Sequence, residues 1–323
     1  MTRLALIAVL LMATIRSASA DVTATEIEAP GPSGKLRGTL LAVDGAQTPP
    51  VLIIPGSGPT DREGNNTLGI RAQVYRLLAE GLAAEGISSL RIDKRGLFGS
   101  AGAIPDADAV KLQDYADDVR TWTAILRKRT DAPCVWLLGH SEGGLVGLLA
   151  AQSMPDLCGL ILVATPGQKL GEVLRDQWRR SIRNPPDLAQ ALRAIDSLEA
   201  GRHVDTSGMH PILASVFRPA VQGFMIDLLS YDPAVLLRTV SKPVLIVQGE
   251  RDLQVAETDA RRLKAAKPDA ELQMIPDANH VLKSTPYDDA MSQRVTYTDP
   301  KLPLAPEIVP AIVQFLRSHS PAP

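Results

Sequence analysis

Short apolar runs bounded by turn residues recur along the chain and predict the strands of a sheet. Two alternating segments, 22–29 and 36–43, are separated by a Gly-Pro-Ser-Gly turn and predict an antiparallel hairpin. Continuous apolar runs, which are typical of strands buried on both faces, follow at 51–54, 134–138, 160–164 and 244–248, with shorter strand patterns at 87–93 and 271–275.

Helical patterns alternate with these strands. They cover 75–84, 114–129, 256–266 and 307–318. Apolar strands that alternate with helices predict an α/β fold with a mostly parallel, doubly wound sheet, to which the N-terminal hairpin adds antiparallel strands. Ligands of such sheets bind at the carboxyl ends of the strands, so the loops that follow the strands are the place to look for chemistry.

The strand pattern stops between Gly167 and about Val240, where three or four amphipathic helical patterns replace it. We interpret this stretch as a helical cap inserted into a single domain that spans residues 21–323. The alternative is a small separate helical domain without contact to the site. Because the insertion begins and ends next to strands, we expect it to roof the site. Apolar cap residues such as Phe224 and Leu228 are then expected to set substrate choice.

A Gly-x-Ser-x-Gly sequence, Gly139 to Gly143, lies between the apolar run 134–138 and an alanine- and leucine-rich helical segment. A serine on such a strand-turn-helix junction has its hydroxyl exposed at the end of a sheet, and the flanking glycines let strand and helix approach. The alternative is a glycine-rich helix start that Ser141 caps. The strand before the turn and the helix after it favour Ser141 as a nucleophile.

Asp252 and His280 also come directly after predicted strands, and the chain order is Ser141, Asp252, His280. This is the order expected for α/β-hydrolases. A serine hydroxyl needs a base to take its proton, and a carboxylate to orient the imidazole. The oxyanion needs two amide donors, for which we predict the N–H groups of Glu142 and Ser57, with Gly58 as the alternative to Ser57.

The chain resembles the α/β-hydrolase superfamily, in particular bacterial exported hydrolases of the serine-aminopeptidase-like and dienelactone-hydrolase-like branches. The motifs that carry the resemblance are Pro55-Gly-Ser-Gly-Pro-Thr-Asp-Arg, Asp93-Lys-Arg-Gly-Leu-Phe-Gly-Ser, Gly139-His-Ser-Glu-Gly-Gly, Gly249-Glu-Arg-Asp and Asn279-His-Val-Leu-Lys. The resemblance covers essentially all of the mature chain and implies the fold and the triad. It does not identify the substrate, since one scaffold hosts many chemistries. Pro55-Gly56 stands where many relatives have His-Gly.

Other polar residues receive mainly structural interpretations. Asp93 also follows a predicted strand and is the alternative candidate for the triad acid, but its Asp-x-Arg-Gly context is typical of a loop-bracing ion pair. His140 is expected to pack or hydrogen-bond near the serine turn. Asp114, Asp117 and Asp118 lie at a helix start, where carboxylates favour the helix dipole. The spacing of His203, His210 and His319 matches no metal-binding motif, so we predict neither a metal nor a cofactor.

Residues 1–20 have a different composition from the rest of the chain. Arg3 is followed by an apolar run and then by Ala18-Ser-Ala20, a pattern typical of a secretory signal peptide. The run is too short to cross a bilayer as an anchor. We therefore expect an exported protein, periplasmic or secreted, without a membrane span. Since exported proteins meet oxidising conditions, the two cysteines, Cys134 and Cys158, are predicted to form a disulfide, with two buried thiols as the alternative.

Charge and the predicted triad narrow the function. The net charge of −2 provides no basic surface for nucleic acid. The leading hypothesis is a carboxylic-ester hydrolase that forms an acyl-serine intermediate on a small-molecule substrate. An aminopeptidase or amidase is the alternative enzyme, and it needs acidic groups such as Glu142, Asp61 or Glu63 to hold a substrate ammonium. A non-catalytic binding protein on the same scaffold is the third possibility. The sequence leaves the oligomeric state open.

Overall fold

The computed structural model describes residues 21–321, and these contain an eight-stranded sheet. Its strands are β1 (Val22–Pro30), β2 (Lys35–Val43), β3 (Val51–Ile54), β4 (Ser89–Ile92), β5 (Val135–His140), β6 (Leu157–Val163), β7 (Val244–Gly249) and β8 (Glu271–Ile275). They lie in the order β1-β2-β4-β3-β5-β6-β7-β8. The hairpin β1-β2 and the pair β2-β4 are antiparallel, and the remaining pairs are parallel. The predicted fold class is confirmed.

Helices cover both faces of the sheet. They are α1 (Val74–Ala84), α2 (Leu112–Thr130), α3 (Glu142–Ala151), α4 (Leu170–Ser181), α5 (Pro185–Glu199), α6 (Pro211–Val216), α7 (Pro219–Ser230), α8 (Pro233–Arg238), α9 (Glu257–Ala266), α10 (Ala290–Thr298) and α11 (Ile308–His319). Alternate residues of one strand belong to different apolar clusters: Leu137 packs with α2 and α3, whereas Trp136 and Leu138 pack with α1 and α11. This alternation is what a strand buried on both faces requires.

Five helices, α4 to α8, lie between β6 and β7. Part of this insertion has its own apolar cluster, centred on Ile195, Leu198 and Phe217. Its later part packs on the sheet's own helices: Phe224 of α7 meets Tyr115 of α2 edge to face at 6.0 Å, and Leu228 is buried in the cluster beneath. The side of α7 that carries these two residues is therefore turned towards α2 and the sheet.

Two elements differ from the sequence-based expectation. The sequence pattern indicates no helix in the long proline-dotted segment between His280 and the last helix, yet α10 lies there. A short 3₁₀-helix over Phe98–Ala103 lies in the glycine-rich loop that follows β4. Most other helices and strands begin and end within two or three residues of their predicted bounds. The signal peptide predicted at 1–20 lies outside the described residues.

A disulfide joins Cys134, just before β5, to Cys158 in β6, with a Cα–Cα distance of 5.2 Å. The predicted pairing is thus present, at the end of the sheet where these two strands begin. None of the helices within residues 21–321 is long and apolar enough to cross a bilayer.

Candidate active site

Ser141 lies on a strained turn between β5 and α3. Its backbone has φ 55° and ψ −123°, which a residue with a side chain rarely adopts. Glycine is required on both sides: a Cβ at Gly139 would collide with the backbone of Gly143, and one at Gly143 would collide with the backbone of Ile54. The close approach of β3, β5 and α3 at this turn explains why the sequence has glycine at both positions.

Asp252 and His280 meet in the structure. Asp252 follows β7 and His280 follows β8, and the Nδ1 atom of His280 lies 2.8 Å from Oδ2 of Asp252. The Asp252 side chain is fully buried, and its Oδ1 accepts the amides of Gln254 at 2.7 Å and Val255 at 2.9 Å. A carboxylate held in this way fixes the imidazole and places the ring proton on Nδ1, which leaves Nε2 free to accept a proton.

The buried loop that carries His280 is tied to α10. Asn279 donates through Nδ2 to Oγ1 of Thr296 at 2.6 Å, and the Lys283 ammonium donates to the Asp299 carbonyl at 2.7 Å. Leu282 takes a positive φ of 60° in the same turn. This helix, which the sequence did not reveal, therefore supports the position of His280.

Ser141 and His280 line the same cavity, which has a volume of about 260 Å³. Within residues 21–321 no hydrogen bond joins the Ser141 hydroxyl to His280. Catalytic hydrogen bonds are often long in the absence of substrate and tighten in the complex. The three residues of the predicted triad are thus brought to one place, with the Asp252–His280 contact formed.

The two predicted oxyanion donors flank Ser141. Glu142 is the first residue of α3, and Ser57 lines the cavity in the loop that follows β3. A Cβ at the neighbouring Gly56 would lie 3.3 Å from that of Ser141, which shows how close the loop comes. Among the described residues neither the Ser57 amide nor the Glu142 amide donates a hydrogen bond. Of the two residues, Ser57 is among those that line the cavity.

A buried chain of hydrogen bonds links the Ser57 loop to the His280 loop. The Gly56 amide donates to the Tyr75 hydroxyl at 2.8 Å, this hydroxyl lies 3.0 Å from Nδ1 of His140, and Nε2 of His140 lies 2.8 Å from the His280 carbonyl. An amide can only donate and a carbonyl can only accept, so the Tyr75 proton points to Nδ1 and His140 carries its own on Nε2. Burial, with repulsion from His280, lowers the pKa of His140 to about 3 and keeps it neutral.

Asp93 braces a loop, as predicted, although the arginine it pairs with is Arg62 and not Arg95 of its own motif. It accepts the Arg62 amide at 2.9 Å and the Gly99 amide at 3.2 Å, and it lies near the Arg62 guanidinium. Burial raises its pKa above the usual range. Arg95 turns instead to α2, where Asp118 binds it through both carboxylate oxygens at 2.7 Å. Asp93 and Asp252 thus lie in separate clusters.

The other aspartate and histidine residues named from the sequence are not among those that line the cavity. Asp114 accepts the Lys111 amide at the start of α2, at 2.8 Å, and Asp117 pairs with Arg120. His203 is exposed, His210 is the N-cap of α6, and His319 ends α11. The part of the chain that the structure describes contains no group of three or more His, Cys, Asp or Glu residues that could hold a metal ion.

The residues that line the cavity come from the loop after β3, the start of α1, the turn at Ser141 and the C-terminal quarter of the chain. The larger apolar lining residues are Leu68, Ile70, Val74 and Val281, and polar uncharged ones include Asn66, Gln254 and Tyr297. The amide of Gln254 is bound by Asp252, and its side chain donates to the Tyr297 hydroxyl at 3.2 Å. The pattern of the sequence did not single out Gln254 or Tyr297.

Phe224 and Leu228, which we expected in the pocket, do not line it. The described residues that line the cavity include none from the insertion. Its contact with the site is indirect, through α4: the Gln177 side chain donates to the Gln254 carbonyl at 2.8 Å, and Arg180 donates to the Leu253 carbonyl at 3.4 Å. The expectation that the apolar residues of α7 surround the substrate is therefore not met, because α7 packs on α2.

A strained serine turn, a buried Asp–His pair and a parallel sheet together define an α/β-hydrolase. A family model described as the alpha/beta hydrolase family matches residues 51–295, and the chain belongs to this family. It is 28% identical over 251 residues to Esterase EstD of Thermotoga maritima, which covers 74% of this chain and 57% of EstD. It is 25% identical over 185 residues to the 2-(acetamidomethylene)succinate hydrolase of Mesorhizobium japonicum, covering 52% of this chain and 63% of that protein.

The chain therefore spans less than two thirds of the length of these curated relatives. Solved structures share the fold along nearly the whole chain. The esterase Pf2001 of Pyrococcus furiosus superposes with a TM-score of 0.60 at 17% identity, over 93% of this chain and 92% of that one. The α/β hydrolase GrgF from Penicillium superposes with a TM-score of 0.60 at 18% identity, over 92% and 99%. At these identities the likeness concerns the fold.

Proposed function

We propose that this protein is a serine hydrolase that cleaves carboxylic esters, with Ser141 as nucleophile, His280 as base and Asp252 as the orienting acid. The observation that carries the proposal is the buried contact of 2.8 Å between Asp252 and Nδ1 of His280, beside a cavity that Ser141 also lines. This pairing leaves Nε2 of His280 as the proton acceptor that an unactivated serine hydroxyl requires.

Acylation begins when the Ser141 oxygen attacks the ester carbonyl carbon and its proton passes to Nε2 of His280. The carbonyl oxygen becomes an oxyanion, which the amides of Ser57 and Glu142 stabilise. When the tetrahedral intermediate collapses, the bond to the alcohol breaks and His280 gives its proton to the leaving oxygen. Asp252 remains ionised and stabilises the imidazolium throughout. The product of this half-reaction is an acyl-Ser141 ester and a free alcohol.

Deacylation repeats these steps with water. His280 takes a proton from the water as its oxygen attacks the acyl carbon, and the same two amides hold the second oxyanion. Collapse releases the carboxylic acid, and the proton on His280 returns to the Ser141 oxygen. The chain's own residues therefore supply every proton transfer, and no other reactant than water is required.

The surroundings of the acidic residues favour an ester over a substrate with a free ammonium group. Glu142 is buried and paired with Lys94, Glu63 is paired with Arg91, and Asp61 accepts the amides of Glu63 and Asn65. The described residues that line the cavity include no carboxylate. The carboxylates that an aminopeptidase needs are thus engaged in other contacts, and an uncharged small ester suits the cavity. The name of the EstD relative agrees with this choice.

We also propose that the protein acts after export from the cytoplasm. The signal-like composition of residues 1–20 and the disulfide between Cys134 and Cys158 support an oxidising compartment. The test is expression of the full chain in a Gram-negative host, followed by N-terminal sequencing of the periplasmic protein. A mature start near Asp21 is expected, and retention of residues 1–20 in the cytoplasm would contradict the proposal.

The function is tested with purified protein on three panels: 4-nitrophenyl esters from acetate to octanoate, acyl-CoAs, and aminoacyl 4-nitroanilides. We expect the short esters to be the best substrates. A fluorophosphonate should label Ser141, and peptide mass spectrometry can locate the labelled residue. Ser141→Ala should lose the label and nearly all ester hydrolysis. Ser318→Ala, which removes an exposed hydroxyl of α11 far from the cavity, is the matched control.

Two outcomes would contradict the proposal. Persistent ester turnover by Ser141→Ala would exclude the nucleophile. Faster cleavage of aminoacyl anilides than of esters would favour the aminopeptidase alternative on the same triad. A folded wild-type protein that is neither labelled nor active on any panel would favour the non-catalytic binding protein.

A further inference from the structure

Gly56 is held from both sides by buried side chains. The Tyr75 hydroxyl accepts its amide at 2.8 Å, and the Lys94 ammonium donates to its carbonyl at 2.8 Å. Tyr75 and Lys94 are 2% and 6% exposed, so neither contact competes with bulk water. The two peptide units that meet at this glycine are therefore both fixed, although glycine itself restricts the backbone least.

The contact with Lys94 determines where the Ser57 amide points. The Gly56 carbonyl and the Ser57 N–H belong to one planar trans peptide unit, in which the C=O and the N–H point in opposite directions. When Lys94 holds the carbonyl on the inner side, the Ser57 N–H is turned the other way. Ser57 lines the cavity. Rotation of this unit would remove the donor from the cavity and leave the Lys94 ammonium without this acceptor.

Lys94 also reaches the second predicted donor residue. Its Nζ lies 3.2 Å from Oε1 of Glu142, whose side chain is 3% exposed, and 5.3 Å from the centre of the Tyr115 ring. Glu142 begins α3, and its own amide is the other predicted oxyanion donor. One buried ammonium thus connects the loop after β3 to the first residue of the helix after Ser141.

We propose that Lys94 is a positioning residue of the oxyanion hole, because it orients the Gly56–Ser57 peptide unit and ties it to the start of α3. Lys94 acts through this peptide and does not touch the substrate. The inference rests on the proposed ester hydrolysis and adds a residue whose loss misdirects the Ser57 amide while Ser141, His280 and Asp252 remain in place.

The direct test is Lys94→Met, which keeps much of the length and the apolar stem. Removing the ammonium alone leaves Glu142 buried without its partner, so this variant can fail by unfolding. The double variant Lys94→Met/Glu142→Gln removes both charges together and is the informative protein. It retains the Glu142 position's backbone amide and is compared with wild type by thermal melting before any kinetics.

Two readouts separate positioning from mere stability. For 4-nitrophenyl acetate, the double variant should lose kcat by roughly 10- to 100-fold with little change in KM, somewhat less than the loss of a whole oxyanion donor. The second is the Ki of 1,1,1-trifluoro-2-hexanone, whose carbonyl carbon bonds to the Ser141 oxygen while its own oxygen becomes an oxyanion. This Ki should rise by a similar factor, because the adduct needs the same two amides.

Lys267→Met is the matched control. Lys267 is also buried and also donates to a backbone carbonyl and a carboxylate, those of Val240 and Asp269, both at 2.9 Å. These contacts lie at the end of the sheet where β7 begins, away from the cavity. Lys267→Met should lower the melting temperature and leave kcat and the Ki of the ketone as in wild type.

The inference is overturned if the folded double variant keeps the wild-type kcat and ketone Ki, or if Lys267→Met loses kcat to the same extent. In either case Ser141→Ala still decides the proposed function separately. Loss of activity in Ser141→Ala together with a fully active Lys94 double variant would leave a serine hydrolase whose oxyanion loop needs no lysine.

Discussion

The walls of the cavity and the helical insertion are built from different parts of the chain and make different contacts. Most of the lining comes from the loop after β3, the start of α1 and the C-terminal loops near α10. The Arg71 amide joins the first loop to α10 by donating to the Tyr297 carbonyl at 2.7 Å. The insertion, α4 to α8, spans a larger part of the chain and packs on α2, α3, α9 and on itself. Within residues 21–321 its hydrogen bonds to the loop of Asp252 come from Gln177 and Arg180.

This difference shows that a helical insertion between two strands of the sheet need not line the cavity. Position in the chain places α4 after the carboxyl end of β6 and α8 before the amino end of β7. The direction in which each helix turns its apolar side depends on its packing partner, and for Phe224 that partner is Tyr115. We therefore expect recognition to depend on the loop after β3 and on α10, and the insertion to give mainly structural support.

The largest effect should come from a residue beside the cavity, not from the insertion. Asp252→Asn should fold normally and lose kcat by roughly 10⁴-fold, since an amide in this position stabilises the wrong imidazole tautomer. Asp93→Asn is the control, because Asp93 accepts loop amides instead of contacting His280. We expect it to lower the melting temperature more than kcat. Full turnover in Asp252→Asn with none in folded Asp93→Asn would mean that the acid is misassigned.

The second effect is a pH dependence of stability on the cavity side. Because the pKa of His140 is lowered to about 3 in the folded state, the unfolded chain binds more protons between this value and the ordinary value of 6.5. Stability is then fully present above about 6.5 and falls as the pH drops through this window, by a few kcal/mol at most. Denaturant midpoints measured from pH 7 to pH 4 should fall less steeply in His140→Gln than in wild type.

His203→Gln is the counterpart in the insertion. His203 is exposed, so its replacement should leave the slope of the midpoint against pH unchanged. If the two variants show the same slope, the burial of His140 does not contribute to acid sensitivity, and the two regions do not differ in this respect.

A third prediction concerns the disulfide, which lies at the sheet end away from the cavity and provides a reference for stability loss alone. The double variant Cys134→Ser/Cys158→Ser should lose roughly 3 kcal/mol of the free energy of unfolding on the chain-entropy model. Ester kcat at 25 °C should stay as in wild type. A fall in kcat while the protein remains folded would show that a loss of stability far from the site can lower the rate. The kcat changes of the other variants could then not be assigned to the site alone.

A fourth prediction compares an apolar residue of the cavity with an apolar residue of the insertion. Ile70→Ala should alter the ratio of rates for acetate and hexanoate esters by roughly tenfold, because it removes apolar wall that a longer acyl chain contacts. Leu228→Ala should cost about 2–4 kcal/mol of stability, measured in urea, and leave this ratio unchanged. Flat selectivity in Ile70→Ala with altered selectivity in Leu228→Ala would return recognition to the insertion.

The smallest effect should arise at the link between the regions. Gln177→Ala removes the donor to the Gln254 carbonyl and loosens the loop that also presents Asp252. We expect a few-fold change in kcat, with melting temperature nearly constant, since one such hydrogen bond contributes about 1 kcal/mol. Gln190→Ala, which lies within the insertion and away from the site, should leave kcat unaffected.

Much of this molecule follows from local patterns. The hairpin, the parallel strands and the serine turn could be predicted because strand alternation, buried apolar runs and paired glycines are all properties of neighbouring residues. The order of Ser141, Asp252 and His280 along the chain also predicts the loops in which these residues lie. Helix α10 could not be predicted, because Thr, Val and Tyr favour strands and the helix is stabilised by tertiary contacts such as Asn279 with Thr296.

The contacts between distant segments were also beyond the sequence. Lys94 follows a strand in a glycine-rich loop, but only the fold brings its ammonium to Gly56 and Glu142. The Tyr75–His140 chain likewise crosses elements that no spacing rule connects. These residues could have been suspected only as polar groups in otherwise apolar or glycine-rich surroundings.

The hydrogen bond from the Arg71 amide to the Tyr297 carbonyl joins the loop after β3 to α10, a helix that is synthesised late. A chain made from its N-terminus, or threaded through a translocon in that direction, delivers Cys134 and Cys158 well before α10. The cross-link can therefore close on a partly emerged chain, whereas the lining residues Val281 and Tyr297 and the loop of His280 arrive near the end. We expect stalled or C-terminally clipped chains to be oxidised but inert, so that hydrolytic activity reports completed delivery of the protein.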